Sequence, residues 1–458
     1  MKKLQFITGS VFYLLSACAS LSCSNLDDVT PELSRVKLRA IHDSATRVSF
    51  DGSTSKWEDG DNINVVLDRL NKIYNFTYEA SSKDYFYCDN IPLEDGDNIY
   101  AFYGVPTESI KVTNKSAHVL LASPVQTQDV ASATSHIATH DILYGKAENL
   151  LKDDIKMSMN HSTAAIKINI KNSLSETKKI KAVNITTPTN VAATGFYTID
   201  ATDGEFIIDS PNGGYNIVTV TPNAVVSLSN SDNYAIWTAV APFTLSPREK
   251  FTIDIVTDDG VYRCEKTIGS SGLEFRAGNV MATNITLGGN ATLLNVVNVD
   301  VNMNALAVIG FPPSWEKPDA ENESITNEYV FGGYTFGIKS PTPFYYEGQK
   351  NYRICFDSGI NNSNTAMIKL PFIDGYILKF VTLASTGSNN SRGYNFSIKG
   401  YEYHNTIGKA KVLTGDTFIY ELNDIKGNKN YYICIGNSST NNNSANLSHI
   451  SLEYEKVD

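Results

Sequence analysis

Apolar and polar residues alternate along most of this chain with a period of two. Ile155, Met157 and Met159 fall on one side and Lys156 and Ser158 on the other, and Ile166, Ile168 and Ile170 repeat the pattern after a short break. Phe251, Ile253 and Ile255 form a third such face. Successive side chains of a β-strand point to opposite sides, so this period predicts strands with one face to bury and one to wet. The spacing of three and four that marks an amphipathic helix is nearly absent. Asp258-Asp259-Gly260, followed by Tyr262 and Cys264, predicts a hairpin by its turn chemistry. Strand signals punctuated by Gly, Asn and Asp clusters predict an all-β chain of sandwich type.

The first residues depart from that pattern. Lys2 and Lys3 precede an apolar run from Leu4 to Leu15 that is too short for a permanent membrane span, and it reads as a signal peptide. Leu15-Ser16-Ala17-Cys18 has the apolar, small, small, cysteine order that lipoprotein signal peptidase cuts before the thiol is acylated. Cys23 competes, because Ser22 precedes it and Ser24-Asn25-Leu26-Asp27-Asp28 would make a polar, acidic tether. One of Cys18 and Cys23 is therefore expected to carry lipid. The plain alternative is an ordinary cleaved signal with two incidental cysteines. Acyl chains would hold the chain on the outer membrane, exposed at the cell surface, without spanning it.

At 458 residues the chain exceeds what one core usually serves, and two or three domains are expected. The pattern divides it into a signal and anchor (1–23), a tether or processing segment (24–45), a first β-sandwich (46–165), a second (166–290), a linker (291–328) and a carboxy-terminal domain (329–458). The last boundary rests on a shift of composition. The polar stretch Glu316 to Glu328 is followed by a region holding 13 of the 25 tyrosines, with Asn/Ser-rich stretches between its strands. That region echoes itself, Lys350-Asn351-Tyr352-Arg353-Ile354-Cys355-Phe356 against Lys429-Asn430-Tyr431-Tyr432-Ile433-Cys434-Ile435. Two comparable strands are expected, and Cys355 and Cys434 would bond only if those strands are adjacent. A jelly-roll count of strands is expected there.

Candidate chemistry changes the picture little. With 49 acidic residues against 38 Lys and Arg, a nucleic-acid footprint is not expected. The hexapeptide Glu-Asp-Gly-Asp-Asn-Ile occurs at Glu58 to Ile63 and at Glu94 to Ile99. It lacks the ligand spacing of a calcium loop and reads as a turn feeding a strand. His136 and His140 are four apart, which places two ligands on one face of a helix but not in the loop and strand expected here. His161 follows the parity of Met157 and Met159 and is expected as a hydrogen-bonded core residue. Neither metal nor cofactor is expected. No nucleotide loop, nucleophile elbow or acid pair stands out, so the chain is not expected to be an enzyme. Trp315, Tyr345, Tyr346, Tyr394, Tyr401 and Tyr403 are the candidates for stacking on sugar rings, although any one of them is ordinary strand or core material.

Several stretches together resemble the fimbrillin-like surface lipoproteins of Gram-negative gut and oral anaerobes. They are Thr46-Arg47-Val48-Ser49-Phe50, Lys56-Trp57-Glu58-Asp59-Gly60-Asp61-Asn62-Ile63, Ile99-Tyr100-Ala101-Phe102-Tyr103, Gln126 and Gln128, Asp141-Ile142-Leu143-Tyr144-Gly145, and Met159 to Ile166. The resemblance covers roughly Arg35 to Leu287. It implies two transthyretin-like β-sandwich domains and, in polymerising members, removal of the first segment by an Arg-specific protease, here at Arg39 or Arg47, with Arg35 less favoured. A donor strand from another pilus subunit then fills the opened groove. The extra carboxy-terminal domain is similar to galactose-binding-like jelly rolls, and if it consumes its own last strand, a tip or accessory place in a fimbrium is expected. Other pilus subunits and a glycan or host-protein ligand are the implied partners. The alternative is a non-polymerising surface glycan-binding lipoprotein.

Overall fold

The structure is a computed structural model that describes residues 35–42, 57, 59–82, 85–209, 214–302, 327–339, 344–347, 353–356, 366–384, 394–399, 409–412, 417–422, 431–437 and 445–457. The described residues are almost entirely strand, as the period of two predicts. None of their helices is long and apolar enough to cross a membrane.

The first unit contains β1 (Val36–His42), β2 (Asn62–Leu67), β3 (Lys72–Tyr78), β4 (Tyr85–Cys88) and β5 (Ile99–Tyr103). It continues with β6 (Ile110–Lys111), β7 (Ser116–Leu121), β8 (Val125–Gln128), the one-turn helix α1 (Ser135–Ala138), β9 (Leu143–Ala147) and β10 (Ile155–His161). Seven of the strands close on themselves in the order β1-β10-β9-β5-β2-β3-β4. Side chains of alternating parity, Leu38, Ile63, Val65, Ile155 and Met157 among them, fill the interior.

The second unit contains β11 (Ala164–Asn172), β12 (Lys178–Thr186), β13 (Thr194–Asp200), β14 (Glu205–Ile208), β15 (Gly214–Tyr215), β16 (Ile217–Pro222) and β17 (Val226–Leu228). Then come β18 (Asn233–Val240), β19 (Phe243–Leu245), β20 (Lys250–Thr257), β21 (Val261–Thr267), β22 (Leu273–Phe275), β23 (Val280–Leu287) and β24 (Thr292–Leu293). A three-stranded sheet, β18-β11-β23, packs on a larger one, β24-β21-β20-β12-β16-β8, with β17 also on β12. Ile166, Ile168 and Ile170 meet Ile253 and Ile255 in the core between them. The expected hairpin joins β20 to β21, with Gly260 at φ +142°. Residue 165 is not a seam between the two units. β7 pairs with β13, and β8 pairs in parallel with β16, so strands from the first stretch complete sheets of the second.

β8 also closes an edge. Its backbone bonds to β16, while the buried side chains of Gln126 and Gln128 reach the open edge of β18. Gln128 Nε2 donates to the Ala235 carbonyl at 2.9 Å, and its Oε1 accepts from the Trp237 amide at 2.7 Å. Gln126 Nε2 donates to the Ala239 carbonyl at 2.8 Å, and its Oε1 accepts from the Ala239 amide at 2.9 Å. The Trp237 carbonyl meets His136 Nε2 at 3.0 Å. Residues 235, 237 and 239 all point their backbone groups away from β11, and side-chain amides complete a ladder that no strand occupies.

The third unit begins earlier than expected. β25 (Val296–Asn302) lies inside the stretch read as a linker, yet it is a strand paired residue by residue with the last one. The remaining strands are β26 (Asn327–Phe331), β27 (Tyr334–Lys339), β28 (Phe344–Glu347), β29 (Arg353–Phe356), β30 (Ala366–Lys369) and β31 (Tyr376–Ala384). They end with β32 (Tyr394–Lys399), β33 (Lys409–Val412), β34 (Thr417–Glu421), β35 (Tyr432–Asn437), β36 (Ala445–Leu447) and β37 (His449–Lys456). Two five-stranded sheets, β25-β37-β31-β34-β33 and β26-β27-β30-β35-β32, share a core in which Val297, Val299, Leu378, Leu452 and Ile433 are buried. The echo strands β29 and β35 sit in different sheets and are not hydrogen-bonded neighbours. The side chains of Cys355 and Cys434 lie outside the described residues, whereas Cys88 and Cys264 are buried free thiols.

The third core continues into the second unit through Ala182, Val256 and Val261. The β26–β27 hairpin makes that contact. Gly332 and Gly333 have φ of +60° and +80°, the two positive values a type I′ turn needs. A Cβ at Gly333 would stand 2.5 Å from the Cβ of Ala182. The Gly332 carbonyl accepts from Asn184 Nδ2 at 3.1 Å.

Candidate functional site

β1 is the first described element of the first unit and closes its ring of strands. It runs parallel to β10, from Leu38 opposite Ile155 to His42 opposite Met159, and antiparallel to β4, from Val36 opposite Cys88 to Arg39 opposite Tyr85. Val36, Leu38 and Ala40 point into the core, while Lys37 and Ile41 face out. Without β1 the other six strands would form an open sheet with β4 and β10 as edges. Phe86, Cys88, Ile155 and Met157, which share the core with the β1 side chains, would line the gap. Burying Val36 and Leu38 contributes roughly 3–6 kcal/mol, to which the two main-chain ladders, buried Ala40, the Trp57 Nε1 bond to the Ala40 carbonyl and Lys37 over the Tyr85 ring add.

The arginines expected at processing positions are placed differently from one another. Arg39 is in the middle of β1, paired on both sides. Arg35 precedes the strand, ion-paired with Glu79 and stacked 4.2 Å over the Tyr87 ring. Arg47 lies outside the described residues, beyond the end of β1 in sequence. Cys18, Cys23, Trp315, Tyr401 and Tyr403 also lie outside them. Tyr345 and Tyr346 are on β28 and Tyr394 opens β32, with only their backbone described. At the other end of the chain, β37 is internal, paired with β25 on one side and β31 on the other.

The acidic hexapeptides are turns in both copies. Gly60 and Gly96 each adopt φ +91°. Asp59 accepts the Ala80 amide at 2.8 Å and Asp95 accepts the Lys152 amide at 2.9 Å, so equivalent carboxylates pin neighbouring loops. Asp97 takes a guanidinium as well, Arg69 Nε donating at 2.8 Å, which holds its carboxyl below the usual range. Among the described residues no group of three His, Cys, Asp or Glu is placed to hold a metal.

His136 is not on the expected loop or strand but in α1, and His140 is in the turn that follows it; Ile137 between them is buried beside Trp237 and Ala239. A single helical turn carries too little period to be read from sequence. Their rings stand 6.5 Å apart, edge to face, and burial pushes both pKa values down, that of His140 to about 4. His161 is a buried core residue, with Nδ1 2.5 Å from Asp141 Oδ2, and Thr163 Oγ1 donates to the other carboxylate oxygen at 3.1 Å.

One constellation has no counterpart in the sequence reading. On the outer face of the larger sheet, register pairs Thr219 with Asn184, Asn184 with Asp254 and Asp254 with Arg263, a polar row across β16, β12, β20 and β21. Thr219 Oγ1 donates to Asn184 Oδ1 at 2.8 Å, and Arg263 grips Asp254 through Nε and Nη2, both at 2.7 Å. The third unit roofs this row, leaving a crevice of about 550 Å³ that also meets Tyr215, Asp300 and His449. The only sequence signal is a polar residue of outward parity on each strand.

Residues 46–305 match the family model described as fimbrillin-like. No curated protein matches the chain. Among solved structures, a candidate cell adhesion protein from Bacteroides ovatus ATCC 8483 is 13% identical with a TM-score of 0.40, covering 57% of this chain and 95% of that one. A second candidate cell adhesion protein, from Bacteroides uniformis ATCC 8492, is 15% identical with a TM-score of 0.36 over 58% of this chain and 98% of that one. A fimbrial protein from Bacteroides vulgatus ATCC 8482 is 12% identical with a TM-score of 0.33, over 57% and 98%.

Proposed function

Because the chain belongs to the fimbrillin-like family, we propose that it is a cell-surface adhesion protein of pilus type, lipidated at Cys18 or Cys23, that accepts a donor strand from another subunit in the seat of β1. The observation that carries this reading is the seat itself: one strand, held by two ladders and three inward side chains, separates β4 from β10. Cleavage after Arg47 removes β1 whole and is the processing event; a cut at Arg39 would leave half the strand in place and would require a protease to reach a residue paired on both sides. β37 is occupied on both edges by its own unit, so it is not a free donor, which supports a tip or accessory position over a repeating stalk position. The two five-stranded antiparallel sheets of the third unit support the jelly-roll reading of that part.

The test is limited digestion of the full chain with an Arg-specific protease, followed by addition of a labelled peptide with the sequence Val36 to His42. Cutting after Arg47 with retention of the added peptide at the vacated seat is the expected result. A chain that is not cut there, or that after cutting takes up no strand, would overturn donor-strand acceptance.

A further inference from the structure

The crevice between the second and third units does something the assembly reading does not use, and a chain that never entered a filament would keep it. We infer that it binds a neutral saccharide, with Asp254, Arg263 and Tyr215 as the contacts of its floor and Asp300 at its rim.

Its size of about 550 Å³ suits a mono- to disaccharide, within the roughly 300–1,000 Å³ usual for small-ligand sites. The floor is built, because each polar side chain is held by a neighbour. Asn184 spends its carbonyl on Thr219 and its amide on Gly332, and so fixes the roof hairpin over the row. Asp254 and Arg263 lock each other in a bidentate pair that leaves capacity on both partners. A guanidinium has five N–H groups, of which Asp254 takes two, and each carboxylate oxygen keeps a lone pair. A donor fork and an acceptor fork side by side are what adjacent sugar hydroxyls require, since each hydroxyl both gives and takes one bond. Tyr215, half-buried and packed against the third core, lines the same space and supplies aromatic surface of the kind on which the C–H side of a pyranose packs.

Charge selects the class. Arg263 is neutralised by Asp254, and the remaining carboxylate, Asp300, stands 3.5 Å from His449 at the mouth. Two carboxylates against one guanidinium and one imidazole leave the crevice no excess of positive charge, which disfavours sialylated or sulfated glycans on a chain whose net charge is already −11. The floor is preorganised: four strands of one sheet of the second unit supply its polar row, and the third unit is seated by apolar contacts at Ala182, Val256 and Val261.

The test is calorimetry on the soluble full chain with neutral hexose and N-acetylhexosamine oligosaccharides and with sialylated and sulfated ones. Binding of at least one neutral sugar is expected, weakened at least tenfold in Asp254→Asn and in Tyr215→Ala and severalfold in Asp300→Ala. Asp300 is exposed and outside the polar row, so Asp300→Ala keeps its fold and remains informative if Asp254→Asn fails to fold. Absence of neutral-sugar binding, preference for acidic glycans, or binding that survives these changes but is lost in Tyr345→Ala or Tyr346→Ala would each overturn the assignment. No filament is involved, so failure here is distinct from failure of donor-strand acceptance.

Discussion

Replacing Gln128 with Met keeps volume and removes only hydrogen-bonding capacity. Gln128 is fully buried, and its amide serves the Ala235 carbonyl, the Trp237 amide and the Tyr234 hydroxyl at 2.9, 2.7 and 3.0 Å. Both backbone groups point away from β11, so the variant leaves a buried N–H and a buried C=O without a strand to receive them. Each unsatisfied backbone group costs about 1–3 kcal/mol, for a total of about 2–6 kcal/mol, above the effect of exchanging one buried side chain for another of like size. Urea unfolding followed by tryptophan emission measures the loss, and hydrogen exchange at the Trp237 amide localises it. Gln128→Glu separates the two halves: it keeps an acceptor for the Trp237 amide but offers no donor to Ala235 and buries a charge, so it should cost more than the Met variant. If Gln128→Met unfolds within about 0.5 kcal/mol of the parent and the Trp237 amide stays protected, β18 is not capped in the way its geometry implies.

Acid should weaken the same region. Burial depresses His136 and His140, the latter to about 4, below the roughly 6.5 of an unfolded histidine. The unfolded state therefore takes up protons first, and stability present above about pH 6.5 falls away as pH drops toward 4, by at most about 3 kcal/mol from His140, whose ring is partly open to solvent; thermal midpoints from pH 8 to 4 check it, and His140→Gln should flatten the dependence. Gly333→Ala places a Cβ 2.5 Å from that of Ala182 at a positive φ, and should loosen the third unit by about 1–3 kcal/mol, read as faster protease release of that unit and partly restored by adding Ala182→Gly. Calcium at millimolar concentration should leave the thermal midpoint unchanged, because Asp59 and Asp95 already bind backbone amides; a rise of several degrees would mean that those turns are metal loops after all.

What the sequence discloses depends on how local the cause is. Alternation at Ile155 to Met159, Ile166 to Ile170 and Phe251 to Ile255 reports a strand's two faces residue by residue, and those strands are where the pattern puts them. β25 carries the same signal, Val297, Val299 and Val301 against Asn298, Asp300 and Asn302, but its partner is the far end of the chain, so it reads as linker when only neighbouring segments are compared. Gln126 and Gln128 show the opposite failure. Two polar residues at alternate positions look like the wet face of a strand, and only the absence of a backbone partner along β18 explains their burial. The polar row beneath the crevice escapes notice for a related reason: Asn184, Thr219, Asp254 and Arg263 become neighbours only once four strands are in register.

Two ways of closing a sheet edge thus coexist, and they differ in what can replace them. The edges of β4 and β10 are satisfied by a backbone, and the inward side chains of β1 are a valine, a leucine and an alanine, common in any strand. The edge of β18 is satisfied by two amide side chains and an imidazole whose positions are fixed by β8 and α1, and no foreign strand can enter without displacing buried groups that have nowhere else to bond. An exchangeable edge has to be generic enough to accept a partner's strand and a permanent one specific enough to refuse it. On the proposed reading this difference separates the two kinds of edge: strand exchange at β1 changes who closes the barrel, while the Gln126 and Gln128 ladder keeps the edge of β18 from joining in.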